Sequence, residues 1–289
     1  MNSSSPSGLE RLAAALAAGA MMELRLTPKP GLVDLLDNGS HPDLSFPVME
    51  RSVGIVARYL EEIVASLRAE EAFDRQKEIA LRSERRLYAE IGTNTHKGYI
   101  FLAGMLLIAR HHAGASGESA VRKSLSAISR TFFSTAGERD THGERVRRQF
   151  HGGGIVREAI EAYPSLFDGA LPVFRQVMEQ RKCVTTASFA MMARLMQTID
   201  DTTTLHRGGM EGLERVRRDG RALERIIAEG GDCAAFLERL NQDYKRLNLT
   251  IGGVADMLGI AFACLIFGRE IDPDARDAEK YLPLLSAIA

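Results

Sequence analysis

Three cysteines in 289 residues, at positions 183, 233 and 264, give an odd count and no CxxC spacing. That excludes a disulfide framework and a cysteine-based zinc site, and a reducing cytoplasm is the expected compartment. Charge of one sign is not in surplus either, with 37 Lys and Arg against 38 Asp and Glu. No overall field then draws nucleic acid or an anionic membrane, so any anion must be held locally. Long apolar runs are also missing. The late stretch "VADMLGIAFACLIF" is too short to span a bilayer and carries Asp256. The Ala-rich start has no basic residues ahead of it and is broken by Glu10, Arg11, Glu23 and Arg25, which does not fit a signal peptide. No β-branched segment alternates with polar residues, so strands are expected to be few or absent. Beyond the "NSSSPS" start no Pro/Ser-rich linker divides the chain. One domain over residues 1–289 is the simplest organisation, with residues 1–7 disordered.

What is present is helical periodicity. Hydrophobic residues make up 45% of the chain, enough for a sizeable core. They recur at helical spacing in "LERLAAALAAGAMMEL", "VMERSVGIVARYLEEIVASL", "FLAGMLLIARHH" and "AAFLERLNQDYKRL". The fold class that follows is all-α, a multi-helix bundle. Pro28 and Pro30 stop the first helix, Pro47 suits the first turn of the next, and Gly92 ends a long polar one. The charged stretch "EEAFDRQKEIALRSERR" reads as a solvated helix face, and Met191, Met192 and Met196 as core filler.

The unusual residues fall in the connectors and helix ends, and a bundle can gather such ends around one cavity. These stretches are "TPKPGLVD…NGSHPD" from Thr27 to Asp43, "GTNTHKG" from Gly92 to Gly98, "DTHGE" from Asp140 to Glu144, "HGGGIVRE" from His151 to Glu158, "DDTTTLHRGG" from Asp200 to Gly209, and "NLTIGGVAD" from Asn248 to Asp256. Five of the seven histidines lie in the first five. In "GTNTHKG", Asn94, His96 and Lys97 precede a helix whose free N–H groups suit phosphate, although an ordinary cap with a solvated lysine fits equally well. It is no Walker A loop, since the GxxxxGK[ST] order is absent. In "DDTTTLHRGG" the paired carboxylates suit Mg²⁺, while Arg207 and the Gly208–Gly209 backbone suit phosphate oxygens. A helix end with an aspartate cap and a surface ion pair explains the same letters. Asp256, inside an apolar helix, needs a partner or a polar cavity.

Taken together and in order, "LTPKPGLVD…NGSHPD", "GTNTHKG", "THGE" and "DDTTTLHRGG" resemble the triphosphoribosyl-dephospho-CoA synthase family, over a span from about Glu23 to about Phe267. Two elements depart from the family pattern: "GIVREA" keeps Glu158 but displaces an Arg-Gly order, and "LTIGG" lacks a Ser-Pro pair. The resemblance implies an all-α enzyme that joins ATP to 3′-dephospho-CoA and releases adenine. Its product is the precursor of a prosthetic group for an acyl-carrier protein of citrate lyase or malonate decarboxylase, so the downstream carrier-protein modification machinery is an implied partner.

The site residues the resemblance implies are Lys29, Asp34, His41, Asp43, Asn94, Lys97, His142, His206, Arg207, Gly208, Gly209, Asn248, Gly252, Gly253 and Asp256 for substrate. Asp200 and Asp201 are expected to hold Mg²⁺ on the triphosphate, and Lys29, Lys97 and Arg207 to neutralise its oxygens. His96, Glu144 and Glu158 are the acid and base candidates for a glycosyl transfer. Neither nucleic acid nor membrane is an expected partner, and a homodimer is compatible with the sequence. Two other functions stay open: an all-α nucleosidase, in which water replaces the CoA hydroxyl, and a helical nucleotide-binding protein without catalysis.

Overall fold

The structure is a computed structural model that describes residues 8–93, 95–135 and 153–273. Asn94, His142, Glu144 and residues 1–7 lie outside the described residues. Among the described residues all regular structure is helical. In chain order the helices are α1 (Gly8–Arg25), α2 (Phe46–Arg68), α3 (Phe73–Ile91), α4 (Lys97–Ala113), α5 (Glu118–Thr135) and α6 (Gly154–Ile160). A π-helical turn (Ser165–Ala170) follows, then α7 (Leu171–Arg181), α8 (Val184–Thr198), α9 (Thr202–Glu229), α10 (Cys233–Arg246) and α11 (Gly252–Phe267).

The punctuation read from the sequence is where the chain uses it. α1 ends at Arg25 before Pro28, Pro47 sits in the first turn of α2, and Gly92 closes α3 in the left-handed region at φ 85°. α3 buries only Gln76, Ile79, Ser83 and Leu87, a three-to-four spacing that leaves its charges in water. By contrast α4, α8 and α11 are apolar on nearly every side, as helices at the centre of a bundle must be. Met191, Met192 and Met196 are fully buried in α8, as core filler. No helix among the described residues is long and apolar enough to cross a membrane.

α1 packs along α11 more extensively than any other pair of helices. Its Ala-rich stripe removes side-chain bulk from the interface, and Gly19 is the point of closest approach. A Cβ there would lie 2.3 Å from the Gly259 carbonyl oxygen and 2.7 Å from the Ala263 nitrogen. Both are backbone atoms of a central helix and cannot swing aside. α1 in turn carries Glu23 to the end of α11 where the connectors meet. We expect Gly19→Val to separate the two helices and lower the unfolding free energy by about 1–3 kcal/mol or more. An unchanged urea midpoint would show that the interface is looser than its geometry states.

Candidate functional site

Three helices start at one place. α4, α9 and α11 all point their N-termini, with first-turn N–H groups that have no partner within the helix, into a junction closed by the C-terminal turn of α1 and the 26–45 connector. Asp201 organises it. The Asp201 Oδ1 accepts from the Thr203 N–H (2.8 Å), the Thr204 N–H (3.1 Å) and the Thr203 hydroxyl (2.5 Å), which caps α9. Its Oδ2 accepts from the Val254 N–H at 3.0 Å, in the first turn of α11. Thr203 repeats the link, its Oγ1 accepting from the Gly252 N–H at 2.9 Å. The Thr204 hydroxyl donates to the Thr250 carbonyl at 2.7 Å. The two sequence motifs are thereby laced together at three points.

Because the cap falls on Asp201, α9 begins at Thr202 and Asp200 precedes it. Asp200 therefore does not share a helix face with Thr204 and Arg207. It turns instead to Arg217 (2.7 Å), Arg157 (3.4 Å) and the Gly153 N–H (3.1 Å). The residues expected to hold Mg²⁺ thus have their carboxylate oxygens occupied by N–H and O–H donors. No group of three His, Cys, Asp or Glu able to hold a metal ion is found among the described residues. This donor set does not fit a resident Mg²⁺.

Lys29 is 1% exposed. Its ammonium donates at 2.5 Å to both the carboxylate and the main-chain carbonyl of Glu23, a residue sequence reasoning passed over. The one signal for Glu23 was a charge inside an Ala-rich helix. Asp34 braces the connector, accepting from the N–H groups of Lys29, Leu36 and Asp37. His96, 5% exposed, sits beside Lys29 with its Nδ1 2.6 Å from the Ser52 hydroxyl, which also meets Thr95. Burial, with the Lys29 cation next, pushes the His96 imidazole down to about 4. Asp256 lies against the first turn of α4, over Gly98. Burial raises its carboxyl well above the usual range, and the charges of Asp201 and Glu23 add to the shift.

A second cluster lies along the same lacing. Arg207 donates to the Ser40 carbonyl (2.7 Å) and the Asn248 side-chain oxygen (3.1 Å), and its Nη2 is 3.3 Å from His41 Nδ1. The other ring nitrogen of His41 is 3.0 Å from the Thr250 hydroxyl. Burial, then Arg207, pushes His41 down to about 4, while nearby Asp43 acts the other way. The Ser40 hydroxyl beside them is buried with no hydrogen-bond partner among the described residues.

Other expected residues are placed differently. Lys97 is exposed and pairs with Glu84 of α3 at 3.1 Å. Glu158 is buried, and its carboxylate accepts from the hydroxyl (2.6 Å) and N–H (3.3 Å) of Ser165, the first residue of the π-helical turn that follows α6. His206 is on the exposed side of α9. Gly208 packs under Leu249, and Gly209, at φ 59°, kinks α9. Gly252 and Gly253 face Thr203 and Asp201. Sequence reasoning missed Glu23, whose partner Lys29 is only six residues on, and Ser52, Thr95 and Thr250, common residue types whose partners lie far away in the chain.

The family described as CitG, ATP:dephospho-CoA triphosphoribosyl transferase, matches residues 9–272. A 2-(5″-triphosphoribosyl)-3′-dephosphocoenzyme-A synthase of Klebsiella pneumoniae is 34% identical over 263 residues, 86% of this chain and 91% of the relative. A probable enzyme of the same name from Pseudomonas putida is 30% identical over 272 residues, 89% of this chain and 93% of the relative. No solved structure matches the chain significantly.

Removing the double cap has a definite cost. Asp201→Ala forfeits about 1 kcal/mol of helix capping and leaves the buried Val254 N–H unpaired, for about 1–3 kcal/mol more. Urea denaturation is expected to show the sum, and a loss within error of zero would mean the two helix starts are held by something else. For His96 the sign follows from its lowered value. Between the ordinary 6.5 and about 4 the unfolded chain takes up a proton that the folded chain refuses, so stability declines as pH falls through that window. NMR of the imidazole is expected to show a neutral ring down to about pH 4. Titration near 6.5 would place the ring in water.

Proposed function

The chain belongs to the CitG family of ATP:dephospho-CoA triphosphoribosyl transferases, and from that membership we propose that the junction of α4, α9 and α11 is where its two nucleotides react. The observation that carries this reading is the convergence of connectors distant in sequence on one ionisable cluster. Glu23, Lys29, His96, Asp201 and Asp256 come from α1, the 26–45 connector, the start of α4, the cap of α9 and the first turns of α11.

The transfer is a substitution at a sugar carbon. The 2′-hydroxyl oxygen of 3′-dephospho-CoA bonds to C1′ of the ATP ribose, the C1′–N9 bond breaks, and adenine leaves with that electron pair. The triphosphate is untouched, so the protein has only to hold it. Arg207, His41 and the buried Ser40 hydroxyl form the part of the junction suited to phosphate oxygens or sugar hydroxyls. Asp43, Asn94, Lys97, His142, His206 and Asn248 are proposed to line the nucleotide channel around them. Mg²⁺ is read as part of the substrate, arriving on the triphosphate, because Asp200 and Asp201 have no oxygen to spare for a resident ion. Lys29 acts on the site through its charge.

His96 is the acceptor for the hydroxyl proton. Its Nδ1 is tethered to Ser52, which fixes the ring, and the neutral imidazole has a lone pair to offer. Glu144 and Glu158 remain secondary candidates for proton transfer, the former outside the described residues. A single functional unit in the cytoplasm, passing its product to carrier-protein modification machinery, completes the reading.

The test is a mixture of protein, ATP, Mg²⁺ and 3′-dephospho-CoA, followed by mass spectrometry of the nucleotide product and detection of free adenine. Adenine release that requires dephospho-CoA, with a product carrying the added triphosphoribosyl mass, is expected. Release that ignores dephospho-CoA would make the protein a nucleosidase, and binding with no release would make it a nucleotide-binding protein.

A further inference from the structure

A departing adenine anion is a poor leaving group, and protonation of a ring nitrogen makes it a good one. Among the described residues, five ionisable side chains stand at the centre of the junction, where α1, α4, α9 and α11 meet, and four of them are almost sealed: Lys29 at 1% exposure, Asp201 at 1%, His96 at 5% and Glu23 at 6%. Asp256 is the one of the five that is only partly buried. A ligand entering the junction therefore meets Asp256 before the others.

The position of Asp256 is fixed from two sides. It projects from the second turn of α11, whose first turn is tied to Asp201. Its Oδ2 occupies the space over Gly98, 2.0 Å from where a Cβ would stand, so only glycine at 98 admits it. Ile155 of α6 borders the same spot. The groups that face Asp256 are Asp201 from the α9 cap, Glu23 from α1 and the backbone N–H of Tyr99 from α4. The nearby cation, Lys29, is taken up by Glu23. Burial of the carboxyl first, and the two carboxylates that face it second, favour its protonated form.

We propose that the Asp256 carboxyl is the proton donor to the departing adenine in the transfer described above. The inference rests on that reaction. As C1′–N9 breaks, the bonding electrons go to adenine and the Asp256 proton goes to a ring nitrogen of the base. The hydroxyl proton of dephospho-CoA goes to His96, and exchange through water returns a proton to Asp256. Net, one proton passes from the attacking hydroxyl to adenine, and neither an oxidant nor a co-reactant is needed.

The experiment compares two substrates whose bases differ in their need for that proton. ATP requires it. N7-methyl-ATP does not, because its base is already cationic and leaves as a neutral molecule. With ATP, Asp256→Asn is expected to lower kcat by about 10²-fold or more with little change in KM. With N7-methyl-ATP the deficit is expected to shrink to less than about 10-fold. Equal deficits on both substrates would overturn the proposal and leave Asp256 as a brace for α4. Gly98→Ala, which crowds the carboxyl out of its slot, is expected to give the same substrate pattern. Isotope-edited infrared spectra of aspartate-labelled wild-type protein need no variant to fold. They are expected to show a protonated carboxyl band at neutral pH, and its absence would sink the idea. Wild-type activity in Asp256→Asn would refute the donor while leaving the product, and so the transfer itself, intact.

Discussion

The Asp201 carboxylate stands between two helix starts and belongs to both. One oxygen closes the first turn of α9, and the other holds the first turn of α11, more than fifty residues later in the chain. Every feature of the junction is referred to that anchor. It sets the direction of α11 and so the place of Asp256, and it seats Thr204 under the Thr250 carbonyl, which brings His41 and Arg207 to the edge of the same space. A carboxylate that receives four donors is stable there although it is nearly inaccessible to water, since the N–H dipoles of two helices take the place of solvent.

The Glu23–Lys29 pair is a different kind of buried charge. Taking both ions out of water costs about as much as their attraction returns, so the pair is a poor source of stability. Its effect is on its neighbours. Lys29 places a cation beside His96 and disfavours the imidazolium, while Glu23 and Asp201 place anions near Asp256 and disfavour the carboxylate. An acid from α11 and a base at the cap of α4 are thus both held neutral, by burial first and then by neighbouring charges of opposite sign. Two titratable groups driven apart in this way are what a reaction needs when it takes a proton from one substrate and gives it to another.

The helices were legible in the sequence because burial and period coincide. α2, α3 and α10 each bury one stripe, and Gly92 and Pro47 mark ends with backbone geometry that only a few residues favour. The connectors were legible as chemistry for a similar reason, since polar residues concentrated at helix ends have few other uses. Partnership was not legible. Lys29 looked like a phosphate ligand because a lysine between two prolines reads as solvated. Its partner, Glu23, is six residues earlier on a helix whose other side is alanine and leucine. Asp200 and Asp201 read as a metal pair because adjacency in sequence suggests adjacency in purpose. A cap reverses that, since one residue must leave the helix geometry to cap it and the residue before is turned away. Ser52 and Thr250 carried no signal at all, because a hydroxyl acquires meaning only from what it touches.

The kink in α9 shows how the same stretch serves the core and the junction. Residues 202–208 turn with the Asp201 cap, and from Met210 onward the helix runs along α8 as part of the bundle. A straight helix could not do both, because the face that packs on α8 is not the face that offers Arg207 to Ser40 and Asn248. Gly209 takes the φ of 59° at which the direction changes, a value that costs glycine little and other residues more. Gly208 lets Leu249 lie flush against the bend, where a Cβ would stand 2.4 Å from its methyl group. The two glycines read in the sequence as a backbone grip for phosphate therefore have a prior duty. They let a helix committed to the core turn its first two turns toward the junction, and Arg207 reaches the connector because of it.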